Sequence, residues 1–213
     1  MIDLLGIALA SFVVAFSGAA APGPLLLTVI KESVGRDARV GLMLSLGHAT
    51  VELPVVVLLS LGLVSVDLSG IMFWLGLIGG MALVAFGLLT LKASSRRETV
   101  VDVGEKQTRT SAMRLALLGG MTSASNPYWT FWWLTIGVTS IVQAMVLGPL
   151  GLFVFYLGHI AGDGVVFTSV SALTSGAKNV LGGRGYRALL IGTGVILIAI
   201  GASFALSALQ LAH

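Results

Sequence analysis

Long stretches without a charge constrain this chain more than any other feature. Residues 4–30, 68–91 and 188–212 carry no charged side chain, and each is long enough to cross a bilayer core, which takes about 20 apolar helical residues. Between Arg39 and Asp67 the only charge is Glu52, and between Arg114 and Lys178 it is Asp163. The second run has room for two helices. Hydrophobic residues fill 56% of the positions and charged ones 10%, which excludes the composition of a soluble domain. A membrane barrel would alternate polar and apolar residues, whereas "LPVVVLL" from Leu53 and "VILIAI" from Val195 are continuously apolar. The expected fold is an all-α integral membrane protein with six spanning helices, near residues 4–30, 39–64, 69–92, 112–140, 146–176 and 186–211. The first span is read as a true helix and not as a cleaved secretory signal, because only Asp3 precedes its apolar run and five spans follow. The absence of cysteine excludes a disulfide framework, a thiolate metal site and a cysteine nucleophile.

Lysines and arginines fall in three places: Lys31, Arg36 and Arg39; Lys92 to Arg114; and Lys178, Arg184 and Arg187. In the six-helix reading these are the connections after helices 1, 3 and 5. The positive-inside rule therefore puts both termini outside and those loops in the cytoplasm of a cell-membrane protein. The basic balance reports orientation and contact with anionic lipid, and needs no nucleic acid to explain it.

Three helices on each side of a polar linker, residues 93–111, run in opposite senses, so 1–92 and 112–213 read as a 3+3 inverted repeat. Three matches in the same order support this. "LGHATVE" from Leu46 returns as "LGHIAGD" from Leu157; a proline break occurs as "APGP" from Ala21 and "SNP" from Ser125; and Gly80 with Gly87 is echoed by Gly194 with Gly201.

Proline inside a helix removes a hydrogen bond and clashes with the preceding turn. Helices 1 and 4 are thus expected to be interrupted, and Gly23–Pro24 and Asn126–Pro127 each offer a cap followed by an N1 proline. A simple kink is the alternative. A restart would turn unpaired amides and the positive end of a helix dipole toward an anionic group such as a carboxylate.

His48 lies roughly 13 Å into the membrane, counting about 1.5 Å per residue from Arg39, and Glu52 is four residues further on the same helix face. His159 and Asp163 repeat the arrangement. A charge at mid-membrane costs about 2.5–3.5 kcal/mol even on lenient scales, so neither acid should face lipid. A polar clamp between helices is one reading, although such bonds contribute only about 0.6 kcal/mol on average. The second is proton coupling, since histidines and buried carboxylates load and release protons at physiological pH. The third is a divalent metal held by His48, Glu52, His159 and Asp163 as ligands, with the metal as cargo and not as a resident cofactor. The run "YWTFWW" either forms an interfacial belt or packs against neighbours, or it offers a cation-π face to a substrate amine at Trp129 or Trp132. No phosphate-binding loop and no exposed nucleophile with a base is present in the sequence, which argues against an enzyme or a self-powered pump.

"APGP", "GRDARVG" leading into "LGHATVE", "LGLIGGMALVAFG" and the Asn-Pro pair together resemble the lysine exporter (LysE) family of membrane transporters and its wider superfamily, over nearly the whole chain. The resemblance implies six spans and export of amino acids or related small solutes driven by an ion or proton gradient. It also implies that Pro22, Gly23, Pro24, Asn126 and Pro127 are core motif positions. The expected partners are a small-molecule or ion substrate and the lipid bilayer, and the architecture is compatible with a homo-oligomer.

Overall fold

A computed structural model describes residues 3–21, 23–64, 72–95, 110–175 and 184–210. Pro22 and most of the 93–111 linker lie outside the described residues. Within them the chain is all-α, with no strand.

Helix α1, Leu4–Ala19, starts at Asp3, whose carboxylate accepts from the amide of Gly6 at 2.6 Å. After a short break, α2 runs Pro24–Ser33 with Gly23 in extended conformation as its cap and proline at the first position. The two axes are bent by 81°. Gly35, at φ 69°, turns the chain into α3, Arg39–Val64. Pro54 lies inside α3 and has no amide hydrogen to offer the carbonyl of Thr50, one turn before it. Helix α4 follows at Met72–Ser95. The next helix, α5, Ala112–Ala124, is capped by Ser111 and ends at Ser125.

The span read near 112–140 is divided after Ala124. A second short helix, α6, Pro127–Trp132, restarts at Asn126, whose side chain accepts from the amide of Tyr128. A π-helical turn, Trp133–Gly137, leads into α7, Val138–Met145. Gly148, at φ 63°, opens the long helix α8, Gly148–Ser175, and α9 covers Arg184–Gln210. Among the described residues, three helical stretches are long and apolar enough to cross a membrane: Arg39–Leu63, Gly148–Ser175 and Leu190–Leu209. The bent α1–α2 pair makes a fourth if it is one span. Their outer faces carry leucines such as Leu58, Leu61 and Leu173, exposed as lipid-facing side chains must be.

Small residues set how closely the helices approach. A methyl on Gly80 would lie 2.6 Å from the carbonyl oxygen of Gly201, and one on Gly87 would lie 2.7 Å from that of Gly194. The two glycine pairs therefore meet each other in antiparallel register between α4 and α9. The glycine of each LGH triplet does similar work. Gly47 of α3 is pressed against the backbone of Ala116 on α5, and Gly158 of α8 against Ala8 on α1. These contacts, together with an antiparallel seam between α3 and α8, bring the two motif helices to the middle of the molecule.

Candidate functional site

On α3, the four-residue spacing puts His48 and Glu52 on one face, with His48 Nε2 3.0 Å from Glu52 Oε1. On α8, His159 Nε2 is 3.5 Å from Asp163 Oδ2. Because the helices run antiparallel, each histidine also reaches the other helix's acid. His48 Nε2 is 3.6 Å from Asp163 Oδ2, and His159 Nε2 is 3.6 Å from Glu52 Oε1. Nitrogen and oxygen thus alternate around a small ring. All four residues are buried, at 6% exposure or less.

Ser123 of α5 completes one side. Its hydroxyl donates to the carbonyl of Gly119 at 2.7 Å, which leaves its oxygen to accept from His48 Nδ1, also at 2.7 Å. That network assigns the hydrogen to Nδ1 and turns the other ring nitrogen, Nε2, toward two carboxylate oxygens. A lone pair facing anionic oxygen at 3.0 Å is repulsive, so the ring of four groups calls for a proton or another cation inside it.

The surroundings of the two imidazoles differ. His48 has the edge of Phe167 beside it. His159 is stacked on Phe155 and flanked by Trp132 and Trp133, with ring centroids 5.7, 5.0 and 5.3 Å away. Among the described residues, His159 Nδ1, Glu52 Oε2 and Asp163 Oδ2 are buried without a hydrogen-bond partner. Trp129 of α6 donates its indole N–H to Glu52 Oε1 at 3.3 Å. Trp132 donates to Ser17 Oγ and Tyr128 to the Ser17 carbonyl, both at 2.7 Å, which ties α6 to the end of α1.

The four side chains open onto a cavity of about 30 Å³ that Gly23, Ser123, Asn126 and Trp129 also line. One water needs about 10–15 Å³ on this measure, so the space suits water or a bare ion in this conformation. Residues of both hydrophobic clusters wall it, Leu25, Leu26 and Phe167 from one and Trp132 from the other.

The structure therefore brings His48, Glu52, His159 and Asp163 together, with Gly23, Asn126 and Trp129 beside them. Pro24 and Pro127 start α2 and α6 at the edge of this region. Sequence reasoning misses Ser123, whereas Trp132 is singled out in it only as an alternative to Trp129. Ser123 is one of three hydroxyls in "MTSAS", and only the packing of α5 on α3 singles it out. It also misses the backbone contact of Gly47, whose one visible signal is its place in a repeated triplet; Gly158 and Gly162 show the small-x-x-x-small spacing of a close helix approach.

No curated protein and no solved structure matches the chain. Residues 16–208 match the family described as LysE type translocator, a family of transporters and not of enzymes. That match spans most of the sequence and includes both motif helices, both chain breaks and the glycine-matched α4 and α9, so the chain belongs to the LysE type translocator family.

Proposed function

We propose that this protein is a proton-coupled secondary exporter of amino acids or related small solutes, built as two inverted three-helix halves around one central site. The observation that carries the reading is the convergence of two histidine and acid pairs, one from each half, in a buried cavity beside two breaks in the chain. Paired interruptions at corresponding positions are a pointer to a transporter's binding site. The repeat draws further support from packing, since each LGH glycine lies on an alanine of the first helix of the opposite half.

Glu52 and Asp163 carry the protons, and His48 and His159 share them. The cation that the alternating ring calls for is then the coupling proton itself. The start of α2, which has no side-chain cap, faces the substrate carboxylate with its free amides, together with Asn126. Pro24 and Pro127 begin the helices that follow the two breaks. Trp129 links the two sites, because the same helix that begins at Asn126 delivers its N–H to Glu52. A cavity of about 30 Å³ is too small for an amino acid, so the conformation seen corresponds to a closed stage of alternating access. Both termini lie outside, with the basic loops in the cytoplasm.

The test is proteoliposome flux with a pH-sensitive dye inside and a panel of amino acids outside under an imposed proton gradient. At least one solute should move protons in the opposite direction, and Glu52→Gln and Asp163→Asn should each abolish that movement. Solute transport with proton movement unchanged in both variants would remove the acids from the mechanism.

A further inference from the structure

We infer that α2 is the gate between the central site and the membrane face that carries the basic turn Lys31 to Arg39, and that the buried pair Ser33 and Ser171 is its latch. This rests on the transport reading above and assigns the element that moves in it.

Position comes first. Leu44 lies one turn before His48 on α3, and Phe167 lies one turn after Asp163 on α8. Because those helices are antiparallel, both residues sit on the side of the ring nearer Arg39. Helix α2 inserts into the apolar cluster to which they belong: Leu25 and Leu26 of its first turn line the central cavity, and Val29 and Ile30 are buried one turn further on. With ten residues α2 extends about 15 Å, from Gly23 at the cavity to the basic turn. Beyond the cluster is a second cavity of about 480 Å³, lined by Arg36, Arg39 and Thr110, and Val40 and Leu115 belong both to its wall and to the cluster. Withdrawal of α2 would therefore join the central site to a space in the size range of small-molecule pockets.

Local structure makes α2 the part that can move. It has a hinge at each end: the 81° break before it, and after it Val34 in extended conformation followed by Gly35 at φ 69°, which a side chain would disfavour. The helix after the other break, α6, runs through the π-helical turn into α7 and has no second hinge. The neighbours of α2 are held by backbone, with Gly41 of α3 pressed on the carbonyl of Phe167 and Gly119 of α5 on that of Leu44. Helix α2 contains no glycine, and its packing rests on leucine, valine and isoleucine side chains.

Two hydroxyls fasten its far end. Ser33 donates to Ser171 Oγ of α8 at 2.7 Å, Ser171 donates to the carbonyl of Asp37 at 3.1 Å, and both serines are fully buried. A buried hydroxyl is costly without a partner, so alanine would serve a purely apolar junction better. These bonds, unlike apolar contacts, can be exchanged for bonds to water when α2 withdraws. Arg36 adds a second tie, donating to Glu32 at 3.1 Å and to Thr110 Oγ1, just ahead of α5, at 2.7 Å.

The test uses the full chain, which has no cysteine of its own. Ser33→Cys combined with Ser171→Cys places two sulfurs where hydroxyls now touch, and oxidation should bond them. In proteoliposomes the oxidised double variant should lose proton-coupled flux and regain it with reductant, while neither single variant should respond to oxidant. A separate readout needs no substrate. In inside-out vesicles a Ser123→Cys reporter in the central cavity should react with a membrane-impermeant thiol reagent about 2- to 10-fold faster when Ser171→Ala is added, the effect of one lost hydrogen bond. Flux that continues with the bond formed, a bond that fails to form in the folded protein, a loss that reductant does not reverse, or labelling unchanged by Ser171→Ala would overturn the gate. Absent flux in every form, with labelling still quickened by Ser171→Ala, refutes the transport reading alone.

Discussion

Replacing Gly47 by alanine tests whether the LGH glycines set the geometry of the site. A methyl there would lie 2.5 Å from the carbonyl carbon of Ala116 and 2.8 Å from its Cα, and closer still to the carbonyl oxygen. Carbon atoms pack at about 3.5–4.0 Å, so α3 and α5 must part by about 1 Å or more, and the obstacle is backbone, which cannot rotate away. Overpacking of this kind costs about 1–3 kcal/mol, with the upper end expected here. The helical gain of alanine over glycine offsets roughly 0.5–1 kcal/mol of it. A net loss of about 2 kcal/mol corresponds to a melting temperature lower by about 4–8 °C for a chain of this size. Thermal unfolding in detergent, followed by tryptophan fluorescence, measures it. On Gly62 of the same helix a methyl would meet nothing within 4 Å, so Gly62→Ala should leave the melting temperature unchanged or raise it. The parting of the helices also separates His48 from Ser123, now 2.7 Å away, so transport should fall with stability. If Gly47→Ala melted at or above Gly62→Ala, the close approach of α3 and α5 would not be what this glycine provides.

Gly158→Ala should show a similar but smaller loss in the same assay, since one of the atoms it meets is the movable hydroxyl of Ser11. Trp129→Phe keeps the ring but withdraws the N–H from Glu52, a bond to a charged group worth about 1.5–3 kcal/mol, and should slow proton-coupled flux by about tenfold or more; unchanged flux would confine Trp129 to packing. The chain has no cysteine, so single cysteines report topology cleanly. In intact cells Val146→Cys, in the exposed turn before α8, should react with a membrane-impermeant thiol reagent, and Ser95→Cys, at the end of α4, should not. The opposite pattern would invert the orientation.

Much of the site is legible in the sequence because two periodicities coincide. The i, i+4 spacing fixes His48 with Glu52 and His159 with Asp163 on one face of each helix, and the cost of charge in lipid forces those faces inward. That the two faces meet is seen in the packing of α3 on α8, where each histidine lies 3.6 Å from the acid of the other helix. The rest depends on tertiary contacts that leave no local trace. Thr122, Ser123 and Ser125 look equivalent in sequence, and the approach of α5 to α3 alone selects Ser123 as partner of His48. The π-helical turn at Trp133–Gly137 has no signature in hydrophobic periodicity, since it lies within an apolar run that only Thr135 interrupts. It sits where Trp132 and Trp133 both pack on His159, a contact between distant segments. The aromatic run suggests a role for the face of Trp129, whereas the structure uses its edge.

The decisive comparison is of proton-coupled flux in Glu52→Gln, Asp163→Asn and the two combined. If the pairs from the two halves form one centre, each single change should remove nearly all coupled flux and the combination should be no worse than either. Losses that multiply, each variant retaining a fixed fraction whether or not the other is present, would mean that the acids act as two independent sites.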